Sequence, residues 1–459
     1  MMFGLFKTRC PLDTREKAWT ETRMRWLADK FGIDRLRRAD VILPTREFFP
    51  DDYSGEERQV RPLFDRVCRY MGVNPAGLKL YIVPDNQMVD TGGLYFREPH
   101  TVIYVAQRLL ANQQWLVATL THEVAHELLL GEGRLGTDVP DHEWITDLLP
   151  VFLGMGIFAA NSTLEQGSWG FRCQGYLPSH VFGYAMALFL FARGEGRPAW
   201  AEHLRPDAKD ALTKGLKYLQ KTGDSLFHPD TLAAPLPLPT TPSAACELLS
   251  RSPTWQLVTL EELHDRPLLE RKVLDAVVKC AQANDPEIAA AANEAMAAMG
   301  PAALPAIDVA VRAMHSSDSH VCTTGITAFT AMKQPQPAVL FVLNDLMKSE
   351  DPVVASCARR AVGAYGPRAA RVIPTLMKLL KRALYKGLET EPVELCRLLS
   401  QVSPDYHRLI QERFQHDDEL IVSVTDALAA MSEADSQVLL AADPENDPDA
   451  MGDSPTPSA

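Results

Sequence analysis

From Asp285 onward the chain keeps one period. Asp285, Asp318 and Asp351 are 33 residues apart, and Asp417 lies 66 beyond Asp351. Ala298, Ala331 and Ala364 keep the same spacing, and Ala430 follows after two periods. Gly300-Pro301 recurs 66 residues on as Gly366-Pro367, with Pro335 near the intermediate position. A repeat of this length is too small to bury an apolar face by itself, so successive copies must stack and bury it against one another. Each unit reads as two helices. The turn acid opens the first, an Ala-rich face packs it, Gly or Pro breaks it, and a second apolar helix follows, as at 301–314 and 367–384.

This pattern resembles HEAT-type repeats over about residues 266–432, with three clear units in 285–383, a divergent fourth in 384–416 and a terminal half-unit in 417–432. The resemblance implies an all-α solenoid that docks a protein partner or substrate. Ahead of it, Pro229, Pro235, Pro237, Pro239, Pro242 and Pro253 crowd the chain. Such a stretch cannot hold a long helix or a central strand, and 226–265 reads as linker and solenoid cap with one short helix near Ala244–Leu249. Residues 433–459 carry Glu433, Asp435, Asp443, Glu445, Asp447, Asp449 and Asp453 but no Lys or Arg. They read as a disordered acidic tail.

With 46 Lys plus Arg against 59 Asp plus Glu, the formal charge is −13. That makes a poor grip on nucleic acid or anionic membrane, which both need clustered positive charge. None of the eight cysteines sits close enough to another for a CxxC pair. They read as free thiols, mostly buried, in a reducing compartment. The apolar start MMFGLF is too short for a signal-peptide core. The longest apolar stretch, Leu148 to Ala160, is too short to span a bilayer. The expectation is a cytoplasmic protein that binds neither nucleic acid nor membrane.

Residues 1–225 read differently. Amphipathic spacing predicts a helix over 14–32 and another over 55–71, the latter with Ser54 and Glu57 as its capping box. Leu78–Val83, Gly92–Phe96 and Thr101–Val105 alternate as strands. Helices follow at about 113–130, 142–160, 178–193 and 206–221.

The helix at 113–130 carries the chemistry. It is apolar on nearly all sides, which predicts burial, yet it holds His122, Glu123, His126 and Glu127 in its middle. Buried polar groups need partners. His122 and His126 are four apart, so both imidazoles leave one face one turn apart, a spacing that suits one tetrahedral Zn²⁺. Glu123 lies alongside, placed to take a proton from metal-activated water. Downstream, Glu143 and Asp147 share a helix face. Glu143 is placed to complete the metal site, with Asp147 or His142 as rival ligands. Asp147 is placed to accept the free ring N–H of a ligand histidine. A donor for a developing oxyanion is sought among Tyr176, His180 and Tyr184.

HExxH followed by Glu-x-x-x-Asp resembles the gluzincin metallopeptidases over about residues 60–160. The resemblance implies an α+β zincin-like domain with a small sheet packed on helices. It implies His122, His126 and Glu143 as zinc ligands, Glu123 as general base, and an edge strand, Thr101–Val105, that pairs with an extended peptide. The function expected is zinc-dependent peptide hydrolysis beside a docking solenoid. The alternative is a non-catalytic interaction scaffold whose zincin domain is structural.

Overall fold

A computed structural model describes residues 8–88, 91–97, 100–162, 165–167, 170–172 and 176–441 of the 459. The chain is mostly helical, with a small three-stranded mixed sheet. It divides into two compact units, Met1–Leu238 with Arg251–Val258, and Pro239–Ser250 with Thr259–Ala459. The first unit therefore runs past 225, and 226–265 is shared between the two instead of forming a separate linker.

The first unit begins with α1 (Thr14–Phe31), closed at its start by a capping box between Asp13 and Glu16. The short α2 (Ile33–Arg38) follows. α3 (Val60–Met71) is preceded by a 3-10 turn whose capping box pairs Glu56 with Gln59, not Ser54 with Glu57. Gln59 wins because its Oε1 accepts from the backbone N–H groups of both Ser54 and Glu56, at 3.0 Å each. Strands β1 (Lys79–Val83), β2 (Gly93–Phe96) and β3 (Val102–Ala106) form the sheet in the order β1-β3-β2. β3 is central, parallel to β1 and antiparallel to β2. The strand at 101–105 is therefore not an edge. The edge beside the histidine helix is β2.

That helix, α4 (Gln113–His126), starts where Asn112 accepts from the N–H groups of Gln114 and Trp115. It ends in a wide π-turn, Glu127–Gly131. π-turns are rare and favour functional sites. The expected helix at 142–160 is two, α5 (His142–Phe152) and α6 (Gly156–Ser162). Between them Gly154 adopts φ +85°, and a Cβ there would lie 2.1 Å from the Asp40 carbonyl oxygen. Pro150 sits in the last turn of α5, where few N–H bonds remain to be lost. β4 (Glu165–Gly167) and β5 (Gly170–Arg172) pair antiparallel, and α7 (Ser179–Ala192) packs against α8 (Pro206–Thr222). α4 lies in the core against α3, α5 and α6, and α1 covers α5 and α7.

The second unit opens with α9 (Pro242–Leu249), capped by Thr241. α10 (Pro253–Asp265) crosses the division between the units. α11 (Arg271–Ala281), α12 (Pro286–Met299), α13 (Ile307–Ala313), α14 (Ser319–Ala331), α15 (Val339–Leu346) and α16 (Pro352–Gly363) follow. α17 (Ile373–Tyr385), α18 (Thr390–Val402), α19 (Tyr406–Phe414) and α20 (Asp418–Ala441) complete it. Asp285, Asp318 and Asp351 are the side-chain caps of α12, α14 and α16. Asp417 accepts from Leu420 N at the start of α20. Corresponding helices stack, α12 on α14, α14 on α16, α16 on α18 and α18 on α20. The stretch Pro286–Ala313 is long and apolar enough by composition to cross a membrane. It is broken at Gly300, where φ is +57°, and α12 within it packs on α11 and α14.

The tail boundary moves. Asp418–Ala441 is one helix, so 433–441 is not disordered. The remainder of the expected tail, 442–459, lies outside the described residues, as does Cys173. The other seven cysteines are free, and five of them are buried.

Candidate metal centre

α4 and α5 pack side by side, and this brings three chemically unlike side chains together. The ligand-capable atoms of His122, His126 and Glu143 all lie within 4.8 Å of one another. His122 Nε2 is 3.2 Å and His126 Nε2 3.5 Å from the same Glu143 oxygen, Oε2.

The protons on the rings follow from their other contacts. His122 Nδ1 is 2.8 Å from Asp147 Oδ1, a carboxylate oxygen that can only accept, so Nδ1 carries the proton. Thr146 Oγ1 donates to the His142 carbonyl at 2.8 Å and therefore accepts from His126 Nδ1 at 3.4 Å. In the neutral rings, both Nε2 atoms then present lone pairs toward Glu143 Oε2. That oxygen is buried and has no hydrogen bond. Three lone pairs meeting at a buried point repel unless a cation sits among them. The donor set, two imidazoles and one carboxylate, is the chemistry that suits zinc.

The charges call for positive charge at the same place, which a proton on His122 or a metal ion supplies. Glu123, Glu143 and Asp147 line one cleft of about 450 Å³, and no Lys or Arg joins them among the described lining residues. Burial would lower the pKa of His122, but the carboxylates of Asp147 and Glu143 hold it well above the usual value. Burial lowers His126, with Glu143 opposing. Burial would raise Glu143, yet His122 and His126 keep it well below the carboxylate range.

Glu123 stands outside this group of ligand atoms. Burial pushes its carboxyl up to about 7, with Glu143 and Asp147 adding and His122 opposing. It is 4% exposed, and its Oε2 has no hydrogen-bond partner. β2 makes room for it: a Cβ on Gly93 would lie 2.2 Å from Glu123 Oε1. A buried carboxyl that titrates near neutral pH, with one oxygen unpartnered beside a cleft, is equipped to accept and return a proton.

Of the three residues considered as oxyanion donors, only Tyr176 lines the cleft. Its ring stacks on His122 at a centroid distance of 6.0 Å. Tyr184 is fully buried and donates from its hydroxyl to Glu21 Oε1 at 2.6 Å. It faces α8, where a Cβ on Gly215 would come within 2.8 Å of its ring. His180 Nε2 pairs with Glu16 Oε1 at 2.8 Å. Spacing along α7 put these two on one face, but that face packs on α1 and α8 and not on the cleft.

Glu127 is held by hydroxyl groups. Its Oε2 accepts from Tyr95 Oη at 2.7 Å and Thr101 Oγ1 at 3.2 Å, tying the π-turn after α4 to β2 and to the residue that precedes β3. Tyr95 in turn stacks on His126 at 5.7 Å. Tyr95 and Thr146 were missed by sequence reasoning. Thr146 could have been found, since it precedes Asp147 on the ligand helix. Tyr95 carries no local signal.

No protein-family model matches the chain, and no curated protein matches it. Among solved structures, an engineered protein is similar over 91% of this chain and 94% of its own, at 13% identity and a TM-score of 0.29. So low a TM-score carries no argument about fold.

Proposed function

We propose that the first unit is a zincin-like, zinc-dependent peptidase and that the second is a HEAT-like repeat domain that docks a partner or substrate. The observation that carries the reading is the pairing of three converging lone pairs with a separate buried carboxyl. His122, His126 and Glu143 have the arrangement of ligands, while Glu123, beside them, has the arrangement of a base. A structural metal site has no use for the second feature, which favours catalysis over a scaffold role.

Zinc held by these three residues supplies Lewis acidity, which acidifies water and polarises a carbonyl. The remaining work falls to the chain. Asp147 fixes the His122 tautomer, and Thr146 fixes that of His126. Glu123 Oε2 takes a proton from water as the water oxygen bonds to the scissile carbonyl carbon. It then gives that proton to the leaving nitrogen as the C–N bond breaks. The Tyr176 hydroxyl is the group on hand to donate to the developing oxyanion. The N–H of Ala106 donates to the Gly92 carbonyl at 2.9 Å, which sets the alternation of the β2–β3 ladder. Gly93 and Tyr95 thus turn their backbone groups to the free edge, where an extended peptide can add as a strand above Glu123.

The test is zinc content and cleavage together. Purified chain should hold one zinc, and a peptide-library screen should find cleavage that chelation abolishes and zinc restores. Protein that holds no zinc even after zinc is added would refute the reading.

A further inference from the structure

On α17 and its C-terminal cap residue, Lys378, Lys381, Arg382 and Lys386 recur at helical spacing on one face, with Tyr385 beside them. Together with Arg413 of α19 they line a shallow depression of about 410 Å³. Tyr385 is 62% exposed. The acid beside this face is Asp417. It lies 3.8 Å from Lys381 Nζ and accepts from the Tyr385 hydroxyl at 3.1 Å. Lys378, Arg382, Lys386 and Arg413 make no ion pair among the described residues.

Arg382 and Lys386 also line the neighbouring cleft of about 630 Å³. There Glu391 and Glu394 are engaged by Arg359, which leaves Glu350. Lys378, Arg382 and Lys386 are successive i,i+4 neighbours, and like charges at that spacing destabilise a helix. In a chain of net charge −13, a face of uncompensated cations is the exception. Its cost to the isolated helix is offset if an anion binds there.

We propose that this face docks a short acidic segment of a polypeptide partner. Size selects the ligand class. From Lys378 to Lys386 the cluster covers nine residues, about 12 Å along the helix axis, enough for a few carboxylates on an extended segment. A nucleic acid would cover only a few phosphates there, and the rest of the strand would run over an acidic protein. A short acidic segment feels only the local field, because charges are screened beyond about 8 Å at physiological ionic strength. Tyr385 supplies apolar surface at the centre of the face. The inference names a partner chemistry for the proposed docking role of the repeats, rests on that role alone, and does not depend on the metal centre.

The experiment uses the full chain and a fluorescent peptide of alternating Glu and Ala, followed by anisotropy at low and high salt. The wild type should bind, and binding should weaken at least about tenfold as salt screens the cluster. The variant Lys378→Glu/Arg382→Glu/Lys386→Glu should lose at least about tenfold in affinity at low salt. Lys378→Arg/Lys386→Arg should keep it. If the triple variant alters the circular dichroism spectrum, Arg413→Glu on α19 decides, with about threefold weaker binding expected. Absence of peptide binding at low salt, or equal binding by the reversed variants, overturns the proposal. So does tighter binding of a single-stranded oligonucleotide than of the peptide. Each of these outcomes is independent of zinc content and cleavage.

Discussion

Asp147 accepts the Nδ1–H of His122 at 2.8 Å with one oxygen, while its other oxygen accepts the backbone N–H of Tyr176 at 2.6 Å and of Leu177 at 3.1 Å. One buried carboxylate therefore orients the His122 ring and also pins the segment whose Tyr176 stacks on that ring. Both of its oxygens face donors, so an amide in its place must turn its NH₂ group toward an N–H. Asp147→Asn should weaken zinc by about 10–100-fold and loosen Tyr176 as well. Chelator competition checks the first effect. Wild-type zinc affinity in this variant would mean that Asp147 does not orient His122.

On the proposed reading, the roles of base and ligand separate by mutation. Glu123→Gln keeps shape and zinc but loses the proton acceptor, and cleavage should fall by about 10²–10⁴-fold. Gly93→Ala should have a similar effect from another strand, because its methyl would lie 2.2 Å from Glu123 Oε1 and must displace it. Glu143→Gln should weaken zinc as well as rate. Equal zinc loss in Glu123→Gln and Glu143→Gln would show that these two carboxylates are wrongly assigned.

A buried ion network ties the first unit together. Lys17 is 3% exposed, and its Nζ lies 3.1 Å from Glu21 Oε1 and donates to Thr254 Oγ1 at 2.9 Å. Glu21 also accepts from Tyr184 Oη at 2.6 Å and from Leu226 N at 2.7 Å. Lys17→Met leaves the Glu21 charge buried without its cation and should cost about 3–5 kcal/mol in denaturant unfolding. A loss below about 1 kcal/mol would place the pair among weak surface bridges.

What was legible in the sequence was what one helix can carry. His122, Glu123 and His126 sit on one helix, as do Glu143 and Asp147, so i,i+4 arithmetic places them. The three helix caps at 33-residue spacing were legible for the same reason. Long-range placement was not. Tyr95 reaches His126 only because β2 is the sheet edge, and strand order has no local signature. His180 and Tyr184 share a face as expected, but which neighbour that face meets depends on the packing of α7. The acidic composition from Glu433 reads as tail, but α20 runs on through it to Ala441. α20 packs on α17 and α18.

The second unit should fold alone if cut where its packing ends. α9 buries Ala245, Leu248 and Leu249 and packs on α11. A fragment of residues 239–441 should therefore be helical and melt cooperatively. One of 252–432 should be less stable, since it bares the α11 surface that α9 covers. Equal melting midpoints would show that α9 adds nothing.

The repeat also predicts a stabilising change. Gly300, Lys333 and Gly366 are 33 residues apart and have φ of +57°, +55° and +55°. Each follows the first helix of its unit, where the chain reverses through the left-handed region. Lys333 is the only non-glycine with positive φ among the described residues. A side chain there costs about 1–2 kcal/mol, against which glycine's extra freedom in the unfolded chain costs about 0.5–1 kcal/mol. Lys333 is exposed, so its removal loses no packing. Lys333→Gly should therefore raise stability by about 0.5–1 kcal/mol, read as a higher denaturant midpoint at unchanged slope. Gly300→Ala should lower it by about 1 kcal/mol or more. Destabilisation by Lys333→Gly would mean that the lysine side chain contributes more to its turn than the strained backbone costs.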